Sequence, residues 1–93
     1  MKYEYSIKPY NSPEDFELAC MEFEKSHPDA RKERLLVDVD GSTIQIYHVD
    51  AGKIKILDEY FIDAVYAEAD FLIPQDSELG ALFKLVRTGK RDV

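Results

Sequence analysis

The chain is predicted to adopt an α+β fold, a mainly antiparallel sheet of four to five strands in the order β-α-β-β-β-β-α with two helices packed on one face. Three observations predict it. Short segments alternate apolar and polar residues with the period of a strand, and turn residues separate them. Two other segments, one near each end, carry apolar residues at helical spacing. Finally, 93 residues with 45% hydrophobic content suit one packed core, so residues 1–93 are expected to form a single domain.

Lys2 to Ile7 places Tyr3, Tyr5 and Ile7 on one side and Lys2, Glu4 and Ser6 on the other, a half-buried strand that Pro9 ends. Ser12-Pro13-Glu14-Asp15 then supplies an N-cap, proline at the first helical position and acids where the helix dipole favours them. Phe16, Ala19, Cys20 and Phe23 form the apolar stripe of that helix. His27-Pro28 stops it, because the residue before proline is pushed out of the helical region. Asp29 to Glu33 reads as a charged connector.

From Arg34 onward the pattern is a meander. Leu35 to Val39 is the first strand, Asp40-Gly41-Ser42 the turn, and Thr43 to Val49 the second strand. Asp50-Ala51-Gly52 leads into Lys53 to Leu57, and Val65 to Ile73 alternates as the last strand of the meander. Leu35, Val37, Val39, the pairs Ile44/Ile46 and Ile54/Ile56, and the Val65 to Ile73 series are expected to face the helices. Asp76-Ser77-Glu78 caps a second helix with Leu79, Leu82, Phe83 and Val86 on its inner stripe, closing near Gly89. Lys84, Arg87, Lys90 and Arg91 fall where a helix C-terminus favours cations.

Several chemistries find no footing in this composition. No apolar run approaches the roughly 18 residues of a membrane span and no secretory leader is visible, so a cytoplasmic protein without membrane contact is expected. A lone Cys20 forms no internal disulfide and no cysteine zinc site. The four glycines are isolated, so no phosphate-cradling loop is present, and no cofactor is expected. His27 and His48 lack the spacing of a preset metal pair.

Leu35-Leu36-Val37-Asp38-Val39-Asp40-Gly41-Ser42-Thr43 resembles the first motif of the haloacid-dehalogenase phosphatases. The resemblance implies a magnesium-dependent enzyme with Asp38 as nucleophile and Asp40 as general acid/base. It covers under ten residues and departs at once, since Ile44-Gln45-Ile46-Tyr47 continues as strand where that family inserts helices. The family's later lysine and acidic metal loop have no counterpart. Asp38-x-Asp40-Gly41 also matches half of a calcium loop, but its onward ligands are missing at Val49 and Ala51. A hairpin turn accounts for the same residues.

Charge is distributed unevenly. The net charge is -7, and ten acids against two bases fall between Asp38 and Glu78, leaving nine acids and ten bases elsewhere. Such a segment repels nucleic-acid phosphates and attracts basic surfaces. Aromatic residues lie among the acids, bringing contact area at small entropic cost. The expected function is therefore a small acidic, non-enzymatic protein-binding module of the inhibitor, immunity or adaptor type. Its partner is a basic protein surface, met by Asp58, Glu59, Tyr60, Asp63, Tyr66, Glu68 and Asp70. The alternatives are a nucleic-acid mimic that inhibits a nuclease or regulator, and the magnesium phosphatase. A homodimer through an exposed sheet edge, at Ile44 to Tyr47 or Val65 to Ile73, is a structural alternative.

Overall fold

The computed structural model describes residues 2–89. It is α+β, with one antiparallel sheet and two helices, but the sheet has seven strands rather than four or five. The elements are β1 (Lys2–Lys8), α1 (Pro13–Ser26), β2 (Arg31–Lys32), β3 (Leu36–Val37), β4 (Thr43–Val49), β5 (Gly52–Glu59), β6 (Ala64–Ala69), α2 (Glu78–Leu82) and β7 (Lys84–Gly89). The strand order is β2-β4-β5-β6-β1-β7, with β3 also on β4. Lys90 and Arg91 lie outside the described residues.

The first helix follows its sequence signals. Ser12 Oγ accepts the Asp15 amide at 3.2 Å, Pro13 opens the first turn, and His27 caps the C-terminus. The stripe of Phe16, Ala19, Cys20 and Phe23 is buried, and α1 lies across β5 with further contacts to β1 and α2. The second helix is a correction. It ends at Leu82, and Lys84–Gly89 becomes an edge strand on β1, leaving Val86 exposed rather than buried. Pairing with β1 satisfies a row of backbone groups that would otherwise be unbonded, and Val86 and Thr88 suit a strand. The Gln75 side chain fixes the switch, donating to the Phe83 carbonyl at 3.0 Å and accepting the Leu85 amide at 2.9 Å. Phe83 itself remains in the core, edge-on to Tyr5 at 6.4 Å.

Segment 31–37 also departs from expectation. Arg31 and Lys32 pair with His48 and Tyr47, whereas Leu36 and Val37 pair with Ile44 and Thr43. Four steps on one side meet three on the other, so β2 and β3 form one edge interrupted by an extra residue, as in a β-bulge. Leu35, Val37 and Val39, expected in the core, are exposed there. The phase of β4 is likewise opposite to the expected one. Gln45 and Tyr47 are buried, while Ile44 and Ile46 are only partly covered on the face away from the helices. Register dictates this: Gln45 sits opposite Ile56 and Tyr47 opposite Ile54, and both isoleucines are fully buried under α1. Ile44 instead lies between Leu36 and Leu57 on the open face.

The last meander strand stops at Ala69, four residues short of the expected end. Asp70 leaves the ladder at a close approach, where a Cβ on Gly52 would meet the Asp70 Cβ at 2.9 Å. Ile73 nonetheless stays buried because Tyr5 reaches it. The Tyr5 hydroxyl accepts the Ile73 amide at 2.8 Å and donates to the Phe71 carbonyl at 3.1 Å. Neither β4 nor β6 is an edge, so the strands expected to pair across a two-fold axis are already paired on both sides. The edges are β7 and the broken β2/β3 segment.

Candidate functional site

Two surfaces stand out, one at each end of the sheet. They are separated by about 23 Å, the length of β5 at roughly 3.3 Å per residue. The first is where β3 turns into β4 and β5 into β6. Asp38 to Ser42 forms a tight turn, with the Asp38 amide donating to the Ser42 carbonyl at 2.8 Å and the Gly41 amide to the Asp38 carbonyl at 3.0 Å. The carboxylates serve the turn as well, Asp38 accepting the Val39 amide at 2.8 Å and Asp40 the Ser42 amide at 2.9 Å. A cavity lies at the other end of the sheet, away from this pair.

The neighbouring turn, Tyr60 to Asp63, is bound to the first through the Tyr60 amide, which donates to Ser42 Oγ at 3.0 Å. Asp63 closes it with a left-handed backbone, φ 54°, which aspartate tolerates better than most residues. Its carboxylate accepts the Asn11 amide at 2.7 Å, drawing the β1–α1 loop alongside. The end of β3 and these three loops display Val37, Val39, Tyr60, Phe61, Ile62 and Tyr10, with Val39 fully exposed and Phe61 78% exposed. Apolar residues gathered at one end of a monomer are a recurring mark of protein interaction sites. Around them stand Asp38, Asp40, Glu59 and Asp63, with Lys8 as the nearby strand-end cation.

The residues expected to bind a partner therefore divide. Glu59, Tyr60, Asp63 and Tyr66 are at or beside this end. Tyr66 projects from the open face and donates to Glu59, while burial, then this bond, raises its pKa. Asp58 is buried at 4% exposure, accepting Asn11 Nδ2 at 2.6 Å and the Ser12 amide at 3.1 Å. It positions the start of α1. Glu68 stands in a mixed-charge row across the open face, Lys55, Glu68, Glu4 and Arg87, with Lys2 Nζ at 3.8 Å. Asp70 is at the far end, accepting the Lys53 amide at 3.3 Å.

The second surface is a half-open cavity of about 840 Å³ between the end of α1, the β4–β5 turn and the Phe71–Leu79 segment. Its walls include Val49, Phe71, Ile73 and Leu79, and both histidines reach it. His27 stacks on Phe23 at 4.4 Å, and its covered Nδ1 is the one buried side-chain nitrogen or oxygen without a partner among the described residues. His48 is bonded to Glu33, whose carboxyl is held below its ordinary pKa first by that bond, with help from the charge of Arg31. Sequence reading missed this cavity because its walls come from three separate loops.

Elsewhere, Tyr47 donates to Glu24 at 2.5 Å. That bond, then Lys32, lowers the Glu24 pKa, while burial, then the same bond, raises that of Tyr47. Burial pushes the Cys20 thiol up to about 11, far from a reactive thiolate. Among the described residues no group of three or more His, Cys, Asp or Glu is arranged to hold a metal, and no helix is long and apolar enough to cross a membrane. Compared with known proteins, the chain matches no family model, no curated protein and no solved structure.

Proposed function

We propose that the chain is a small acidic, non-enzymatic protein-binding module, acting as an inhibitor, immunity or adaptor protein, and that its docking surface is the end of the sheet formed by the two adjoining turns. The observation carrying this reading is the joint exposure of Val37, Val39, Tyr60, Phe61 and Ile62 beside Asp38, Asp40, Glu59 and Asp63. Apolar and aromatic anchors inside a charged rim are the anatomy of specific interfaces. The rim selects a partner whose own apolar patch is bordered by lysine and arginine, and it favours fast association at low salt. Asp58 belongs to the frame of this surface rather than to its contact face. The nucleic-acid mimic gains no support, because the row Lys55, Glu68, Glu4 and Arg87 across the open sheet face flanks its two acids with bases instead of presenting a stripe of acids.

Capture from an extract of the source cells tests the reading when run with variants. A specific partner should be retained by the parent, weakened by raising salt from 50 to 500 mM (about a threefold shorter Debye length), and lost with Val39→Asp or Phe61→Asp. Capture that ignores both salt and these substitutions overturns it.

A further inference from the structure

We infer that the cavity between the end of α1, the β4–β5 turn and the Phe71–Leu79 segment is a second binding site, for a small organic cation with an apolar body. It is distinct in position from the proposed docking end, and the two readings fail separately. Size supports a small molecule: about 840 Å³ lies within the range of roughly 300–1,000 Å³ that such sites occupy. The floor supplies the apolar component through Val49, Phe71, Ile73 and Leu79, and the partly buried Phe71 adds an aromatic ring of the kind that attracts cations.

The rim supplies the charge. Asp29, Asp50 and Glu78 line the cavity from three different elements, and none has an ion-pair partner among the described residues. Against them the lining sets one guanidinium, Arg31, while His48 on the same wall is bonded to Glu33. Three carboxylates against one guanidinium leave a surplus of negative charge above an apolar floor, which attracts an ammonium group and repels a carboxylate.

Tryptamine serves as the probe, with indole-3-propionate as its anionic counterpart of similar shape. In amide-resolved NMR titrations, tryptamine should shift residues 29–31, 49–51 and 71–73 saturably, with a dissociation constant on the order of 1 mM for a ligand of this size. Indole-3-propionate should bind about tenfold more weakly or not at all. The double variant Asp50→Asn with Glu78→Gln should weaken tryptamine about four- to 25-fold, at roughly two- to fivefold for each exposed carboxylate. Its melting temperature and untitrated spectrum, compared with the parent, show that the fold is kept. Equal binding of both probes, shifts outside the cavity, or unchanged affinity in a folded double variant would overturn the proposal.

Discussion

Removing the carboxylate of Asp58 should unfasten the start of α1 from the sheet. Asp58 is 4% exposed, and one of its oxygens accepts both Asn11 Nδ2 at 2.6 Å and the Ser12 amide at 3.1 Å. Hydrogen bonds to a charged group contribute about 1.5–3 kcal/mol each, and an abandoned buried donor costs about 1–3 kcal/mol. The two bonds share an acceptor and are not additive, so Asp58→Ala should cost about 3 kcal/mol. Asp58→Asn keeps an accepting oxygen without the charge and should cost about 1 kcal/mol. For a domain of this size each kcal/mol lowers the melting temperature by about 4–8 °C, so the alanine variant should melt about 12–24 °C below the parent. Circular dichroism melts and urea titrations check both variants. An alanine variant melting within about 4 °C of the parent would refute the frame role, and so would equal losses from both substitutions.

Other expectations follow from equally local geometry. A Cβ at Gly80 would lie 2.3 Å from the Pro74 carbonyl oxygen and 2.6 Å from the Gln75 Cα. Gly80→Ala should therefore destabilise by about 1–3 kcal/mol despite its better helix propensity, and a stabilised variant in urea titration contradicts the packing of α2. Glu24 and Glu33 have folded pKa values lowered from 4.5 by Tyr47 and by His48 respectively. Their contribution is present above the unfolded carboxylate value and is lost as pH falls through the lowered folded values. The urea midpoint should accordingly drop on acidification below about pH 4.5, less steeply in Glu24→Gln; an equal slope in parent and variant argues against the Tyr47 bond. Cys20 is buried with its thiol raised to about 11, so a disulfide reagent at pH 8 should label it only as fast as the chain opens. Complete labelling within the mixing time contradicts its burial.

Much of the fold was legible where a local signal and the tertiary demand agreed. Ser12, Pro13 and the Phe16 to Phe23 stripe describe one helix by every criterion, and the buried Ile54 and Ile56 sit where alternation puts them. Legibility failed where two phases were both apolar. In Ile44-Gln45-Ile46-Tyr47 either set can face a core, and only the pairing with β5 chooses Tyr47. The Leu79 to Val86 stripe is also ambiguous, since Lys84 to Thr88 serves equally as a strand once the free edge of β1 is available. The proposed docking end was half visible. Tyr60, Asp63 and their neighbours stood out as acids among aromatics, but Val37 and Val39 read as core because the extra residue in the β2/β3 edge leaves no sequence mark.

The docking surface is tested most directly by placing a photo-crosslinking phenylalanine analogue at single positions and irradiating with the partner. Phe61 and Met21 are both well exposed, one on the turn end and the other on the outer side of α1. The analogue at Phe61 should give a covalent adduct with one basic protein, suppressed by unlabelled parent chain, and the analogue at Met21 should give none. An adduct from Met21 without one from Phe61 would contradict the assignment of the turn end as the docking surface.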